Sequence, residues 1–427
     1  MYDFDSYTLY EIKKHNVYSV RIKVILTEPV QETVLRPAAE KAFRRFPYYA
    51  RKVVVNSEGA YILEPCGKPI TVTPDDHIVR LGTAETNDLL FAVTYEGCNL
   101  YFSFAHNFCG ACGAMRWLKA TLWQYLRDLG YEIDSAGIMT TDTPMTPEEW
   151  AEPDVDALPM DQPVGKLDFP HDSYTLVEDY MAFMKDPDRR MGYYPITIPK
   201  TELMQYARGN DGSPNSIIAA LLFRMCAREF PEVKNFGGRI TCNYRADVGC
   251  PETYRDMVRP LYIPYESRMK DWPIEKLSTM TRSRMYIQMQ PEVSWDRCRK
   301  VHAFRKEIDA QPDLDSKVNY AVEHSLTVHG IPAIFYISYV GKVEWGGLAP
   351  YIRGVFTLAF GHNMIEINAT EEAFCLSFLT LRKDRKYIDG FLKALDDENI
   401  SYTVGPVEDR NFRKSCFRPL RREQTAG

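Results

Sequence analysis

Apolar and polar positions alternate with period two over Val20, Ile22, Val24 and Leu26, which predicts a strand, and Glu32 to Phe46 follows with helical spacing. Leu89 to Tyr95 and Leu100 to Ala105 are β-branched, aromatic and aliphatic runs on either side of Glu96-Gly97-Cys98-Asn99, the pattern of a β-hairpin. Beyond them Met115, Leu118, Leu122, Leu126 and Leu129 recur at helical intervals and stop at Gly130. Residues from about 15 to 135 therefore read as one α/β layer.

The pattern then breaks. Thr140 to Ser173 holds Pro144, Pro147, Pro153, Pro159, Pro163 and Pro170 among Glu148, Glu149, Glu152, Asp154 and Asp156, a crossing segment with little regular structure. Periodicity returns at Ser213-Pro214, a capping serine with proline in the first turn, ahead of Ile217, Ile218, Leu221, Leu222 and Met225. Helices are expected over about 274–289, 294–310 and 313–328. Ala333 to Val343, Gly354 to Phe360, Met364 to Asn368 and Phe374 to Leu381 read as strands, with a helix at 384–396 and a short strand near 400. The expected division is an N-terminal unit 1–139, a Pro- and acid-rich linker 140–173, a C-terminal unit 174–409 and a basic tail 410–427.

Composition narrows the function. A chain of 427 residues suggests two domains on a size prior of roughly 100–200 residues each. A net charge of −6 argues against a nucleic-acid surface. The first residues lack the basic and apolar regions of a signal peptide, and no run approaches the ~18 apolar residues of a membrane span, so the expectation is a cytoplasmic protein without nucleic-acid or membrane partners. Ten cysteines scattered through a chain this long form no disulfide framework and are expected as free thiols.

The candidate chemistry gathers at Phe104-Ala-His-Asn-Phe-Cys-Gly-Ala-Cys-Gly-Ala114, where an apolar strand delivers His106 to a glycine-rich turn that opens a helix. The sheet holds such a histidine's backbone while its ring projects beyond the strand end. Cys109 and Cys112 form a Cys-x-x-Cys at the helix N-terminus, where a thiolate is stabilised, so a thiol-redox role is one alternative. His106, Cys109 and Cys112 at spacings of three offer a second alternative, a metal site, which needs a fourth ligand. Both cysteines also suit the role of small apolar fillers under the helix. His302, His324 and His329 lie in or beside expected helices, and His15, His77, His171 and His362 have no partner at informative spacing.

The register His106-Asn-Phe-Cys-Gly110-Ala111-Cys-Gly113-Ala114 resembles the His-x-x-x-Asp-Gly turn of the CoA-dependent acyltransferase superfamily, whose members include chloramphenicol acetyltransferase, condensation domains and alcohol acetyltransferase-like proteins. His106, Gly113 and Ala114 match, whereas Gly110 and Ala111 stand in place of Asp-Gly. Three further segments resemble the family in the right order. They are Arg45-Phe46-Pro47-Tyr48-Tyr49 after a helix, Asn243-Tyr-Arg245 after a strand, and Tyr336-Ile-Ser338-Tyr-Val-Gly341-Lys-Val343.

The resemblance implies an α/β fold of two chloramphenicol acetyltransferase-like subdomains with mixed sheets meeting at a central tunnel. It implies an acyltransferase in which His106 is the general base and Ser338 steadies the oxyanion. No cofactor is bound permanently. A CoA or phosphopantetheine thioester is co-substrate, so the partners are a small-molecule acceptor and an acyl-CoA or acyl carrier protein. A catalytically lapsed member that binds a ligand is the alternative within the same fold. The family's motif aspartate pairs with the arginine matched by Arg245. With Gly110 in its place, Arg245 must find Asp247, solvent or a substrate carboxylate, and Gly110→Asp should restore the pair without loss of stability. The basic tail could touch CoA phosphates or an acidic carrier, or be a solvated tail.

Overall fold

The structure is a computed structural model in which residues 6–11, 19–77, 79–160, 190–324, 333–359, 363–380, 385–411 and 420–421 are described. Outside them lie linker positions beyond 160, the end of the expected 313–328 helix, Phe360, Leu381, His15, His171, His329, His362 and most of the basic tail.

The first half contains β1 (Ser19–Leu26), α1 (Glu32–Arg45), β2 (Arg51–Val55), β3 (Tyr61–Pro65), β4 (Val72–Pro74), β5 (Phe91–Glu96), β6 (Asn99–Ala105) and α2 (Ala111–Asp128). The second half adds β7 (Arg190–Pro199), β8 (Asn235–Asn243), β9 (Val258–Glu266), β10 (Phe335–Tyr339), β11 (Ile352–Leu358), β12 (Met364–Ala369), β13 (Ala373–Thr380), β14 (Thr403–Val404), β15 (Glu408–Asn411) and β16 (Leu420–Arg421). Helices Lys200–Gly209, Pro214–Glu229, Ile274–Gln288, Pro291–Asp309, Leu314–Glu323 and Lys386–Asp397 join them. The β5–β6 hairpin closes through Gly97 at φ 55°, a left-handed turn position that favours glycine. The helix at Pro214 starts as its sequence indicates, with the Ser213 hydroxyl accepting from the Ser216 amide.

Two mixed sheets carry most of the strands. The first runs β11-β1-β6-β5-β4 and the second β14-β7-β13-β12-β10-β8-β9, with β15 also on β7. In the second sheet β10 pairs in parallel with β8 and β12, and the other pairs are antiparallel. β9 carries Pro260 and Pro264 and sits at the edge, where a missing amide donor is tolerated.

Packing does not follow the expected division at 174. β11 lies in the 174–409 range, yet it pairs with β1 from Arg21↔Leu358 to Leu26↔Ile352. The reason is the pattern of β1, largely buried along its length, which needs a partner on both edges. Val301, Phe304, Ile308 and Ala321 of the two helices after 291 likewise join the first hydrophobic core. The second core packs Ile217, Leu221, Phe223 and Met225 against Phe335, Ile337, Ile365, Ile367, Phe374 and Leu376. The described part of the linker is ordered by its acids, with short helical turns at Pro147–Trp150 and Val155–Ala157 and a buried Glu149. Among the described residues no helix is long and apolar enough to cross a membrane.

Candidate active site

β6 ends at Ala105, and the chain turns at once because the amides of Phe108 and Cys109 both donate to the Ala105 carbonyl, at 3.0 and 3.2 Å. Asn107 faces inward, its Nδ2 donating to the Thr8 carbonyl at 2.9 Å while Thr8 Oγ1 donates to the Asn107 carbonyl at 3.1 Å. His106 turns the other way, toward the second sheet, with 44 % of its side chain accessible. Gly110 caps α2 with extended backbone, φ −80° and ψ 164°.

The connection between β8 and β9, residues 244–257, crosses from the second sheet into the first core, where Tyr244, Val248, Cys250, Tyr254 and Met257 are buried. The Tyr254 ring stacks on Tyr48 at 4.8 Å and meets Tyr49 edge-on at 5.5 Å. The linker ties this segment down. The Tyr254 amide donates to the Glu149 carbonyl at 2.8 Å, Thr253 Oγ1 donates to the Ala151 carbonyl at 2.8 Å, and Arg255 Nη2 pairs with Glu152 at 2.7 Å.

Two glycines of the turn make room for this crossing. A Cβ at Gly113 would lie 2.2 Å from the Tyr254 carbonyl oxygen and 2.9 Å from Cys109 Sγ, so the first turn of α2 and the crossing segment touch backbone to backbone. Gly113→Ala is accordingly expected to destabilise the protein by about 1–3 kcal/mol, read as a lower urea midpoint.

A Cβ at Gly110 would lie 2.7 Å from Oδ1 of Asp256 and 3.3 Å from Nη2 of Arg245. The other Asp256 oxygen, Oδ2, is 3.2 Å from His106 Nδ1. The space of the missing motif side chain is thus filled by a carboxylate from another strand connection. The expectation that Gly110→Asp is harmless is corrected by this contact. Backbone conformation permits the substitution, but the aspartate would meet Asp256.

Arg245 is buried and each of its three nitrogens donates to a neighbour in the β8–β9 region. Nε donates to the Thr253 carbonyl at 3.0 Å, Nη1 to Asn243 Oδ1 at 3.1 Å, and Nη2 to the Arg255 carbonyl. Asp247 is not its partner, since that carboxylate accepts from Ser294 Oγ at 2.5 Å. The Arg245 side chain is therefore a brace of the segment, and its burial does not suit it to an anionic substrate.

Charge and burial compete at His106. The protein packed around the seam desolvates the imidazole and pushes it down even though the ring can be reached, but the Asp256 charge and hydrogen bond, its own carbonyl and the Glu366 charge outweigh this and hold the ring at about 9. Burial pushes Asp256 up, and His106, Arg245 and Arg297 bring it below the usual carboxylate range.

The second sheet presents its other face to this site. Phe335 and Ile337 of β10 and Ile365 and Ile367 of β12 point into the second core, which leaves Ser338 and Glu366 on the opposite face. Ser338, Glu366 and Ser377 stand side by side on β10, β12 and β13. Burial pushes Glu366 up to about 7, against the hydrogen bond from Ser338 and the charge of His106. Contact between the halves continues at Cys112, whose Sγ is 4.0 Å from the Val340 carbonyl and 3.9 Å from Asn243 Nδ2.

The two cysteines part company at this seam. Cys109 Sγ is buried at 3.2 Å from the Gly110 carbonyl and 3.5 Å from that of Tyr254, while Cys112 faces the second sheet. Both are free thiols, and among the described residues no three His, Cys, Asp or Glu side chains are grouped to hold a metal. His77 lies between Asp76 and Glu85, and His324 stacks on Tyr320 at 4.1 Å.

Two α/β halves joined by an exchanged strand, with the histidine turn at their seam, make up the chloramphenicol acetyltransferase-like fold. Solved structures share it across nearly the whole chain. F. sporotrichioides TRI101, complexed with coenzyme A and T-2, superposes at a TM-score of 0.57 with 11% identity over 94% of this chain and 98% of that one. Polyketide synthase associated protein 5 from Mycobacterium tuberculosis gives 0.56 and 12% over 92% and 95%. F. graminearum TRI101, complexed with coenzyme A and deoxynivalenol, gives 0.55 and 13% over 93% and 98%. No protein-family model matches the chain, and neither does any curated protein sequence.

Proposed function

We propose that this protein transfers an acyl group from a CoA or carrier-protein thioester to an alcohol or amine, with His106 as general base. One observation carries the reading. Nδ1 of the imidazole lies 3.2 Å from a carboxylate oxygen, and the ring remains accessible at the seam of a fold that the coenzyme A complexes of TRI101 share.

With Nδ1 beside the Asp256 carboxylate, Nε2 is the nitrogen left for the acceptor. It takes the acceptor's proton as oxygen or nitrogen attacks the thioester carbonyl, forming the new bond and placing the negative charge on the carbonyl oxygen. Collapse of that adduct breaks the carbon–sulfur bond, and the departing thiolate recovers the proton from Nε2. Ser338 is the proposed donor to the oxyanion, a role worth several kcal/mol where such donors have been removed. Glu366 stands beside Ser338 across β10 and β12 on the same face of the sheet.

The test is thiol release from acetyl-CoA in the presence of a panel of alcohols and amines, followed against pH. Only the neutral ring is a base, so kcat/KM should climb with pH and level off above about 9. Release no faster than buffer with both CoA and carrier-bound thioesters would leave a ligand-binding role in place of catalysis.

A further inference from the structure

We propose that Asp256 is the displaced counterpart of the carboxylate that position 110 lacks, and that it acts as the positioning residue of His106. The kinetic arm of this proposal rests on acyl transfer as the function; the structural arm does not.

Extended backbone at Gly110 is open to any residue, so no conformational need explains the glycine. What occupies the side-chain space is the Asp256 carboxylate, 2.7 Å from the Cβ position, with Arg245 Nη2 3.3 Å from the same point, so a Cβ there requires the carboxylate to shift. Carboxylate, guanidinium and histidine turn are all present, but the carboxylate arrives from the residue just before β9 rather than from the turn itself.

From this origin Asp256 reaches the imidazole, with Oδ2 at 3.2 Å from Nδ1. A carboxylate there keeps the Nδ1 proton in place, leaves the Nε2 lone pair for the acceptor, and stabilises the imidazolium that forms when the acceptor's proton arrives. The charged or titratable groups acting on the pair come from three directions. Glu366 of β12 acts on His106, Arg245 and Arg297 act on Asp256, and the Tyr244 hydroxyl also senses the Asp256 charge.

A positioning group must itself be held rigidly. Tyr254 is stacked on Tyr48 and tied to the Glu149 carbonyl, while Arg255 is paired to Glu152. The two residues before Asp256 are therefore fixed.

The experiment follows the His106 ring by NMR in histidine-labelled protein, assigned by its loss in His106→Gln, with thiol release measured in parallel. In the parent the ring should titrate near 9. In Asp256→Asn the midpoint should fall by about two units, because the largest raising influence is gone while desolvation still pushes the imidazole down and only its own carbonyl and Glu366 oppose it. kcat/KM should drop by roughly 10²–10⁴-fold. Gly110→Asp alone should lower stability, by setting two carboxylates in one space. Gly110→Asp combined with Asp256→Ala should recover a midpoint well above that of Asp256→Ala. If neither single Asp256 variant folds, a folded double variant with a high midpoint supports the proposal and one titrating at or below about 6.5 overturns it. A midpoint in Asp256→Asn within about half a unit of the parent also overturns it. The same holds for parent-like thiol release in that variant. A shifted midpoint in a protein that never releases thiol would uphold the pairing and refute acyl transfer instead.

Discussion

Replacing His106 by alanine is expected to lower thioester-dependent thiol release by about 10²–10⁴-fold and to leave the fold standing. The ring sits past the end of β6 with 44 % of its side chain accessible, so little packing is lost with it. Asp256 keeps the charges of Arg245 and Arg297 and is not stranded. The alanine variant should therefore show a parent-like far-UV spectrum and a small change in urea midpoint alongside its loss of rate. Parent-like thiol release would mean that another group removes the acceptor's proton.

Stability and activity should respond to pH in opposite directions here. Folding raises the proton affinity of His106 above that of an unfolded histidine, so its contribution to stability is full below about pH 6.5 and is lost as pH rises through about 9. Catalysis needs the deprotonated ring, so the rate grows over the same interval. At pH 7 roughly one molecule in a hundred holds the neutral base, and that base is correspondingly strong.

The elements with clean periodicity were legible in the sequence. The β5–β6 hairpin, α2 and the helix capped by Ser213 lie within a few residues of where apolar spacing places them. β9 was hidden by Pro260 and Pro264, which argue against a strand until its edge position is known. β11 reads as a strand from its sequence, but nothing local tells that its partner is β1, more than 300 residues earlier. His106 and Arg245 carried signals of position and pattern. Asp256 carried none, since it meets His106 only because the β8–β9 connection crosses the seam. Its one trace in the sequence is indirect: glycine at 110, where an extended backbone does not demand it. Glu366 was equally silent, one acid in an alternating strand whose outer face becomes the wall of the site.

Glu149→Ala is expected to be the most destabilising single change outside the cores, at about 3–5 kcal/mol. Its carboxylate accepts from Arg45 Nη1 and Nη2 at 3.0 and 2.8 Å and from the Tyr48 hydroxyl at 2.7 Å, with only 5 and 2 % of the Arg45 and Glu149 side chains accessible. Alanine would leave that guanidinium buried without its counter-charge. Burial pushes Glu149 up, but Arg45, Tyr48 and the Thr146 amide outweigh it, so the carboxylate lies below its ordinary range. Its contribution is present above about pH 4.5 and fades as pH falls through the depressed value, which makes an acid-shifted loss of stability the companion signature in the parent. Replacing both partners with apolar residues, Arg45→Met with Glu149→Leu, should recover much of the loss, because no buried charge then remains. Activity should suffer in Glu149→Ala even where the protein is still folded. The backbone of 149–151 holds Thr253 and Tyr254, and through them the place of Asp256 beside His106. A urea midpoint shifted by less than the equivalent of about 1 kcal/mol would show that this linker contact is peripheral, and that the crossing segment is held by its aromatic packing alone.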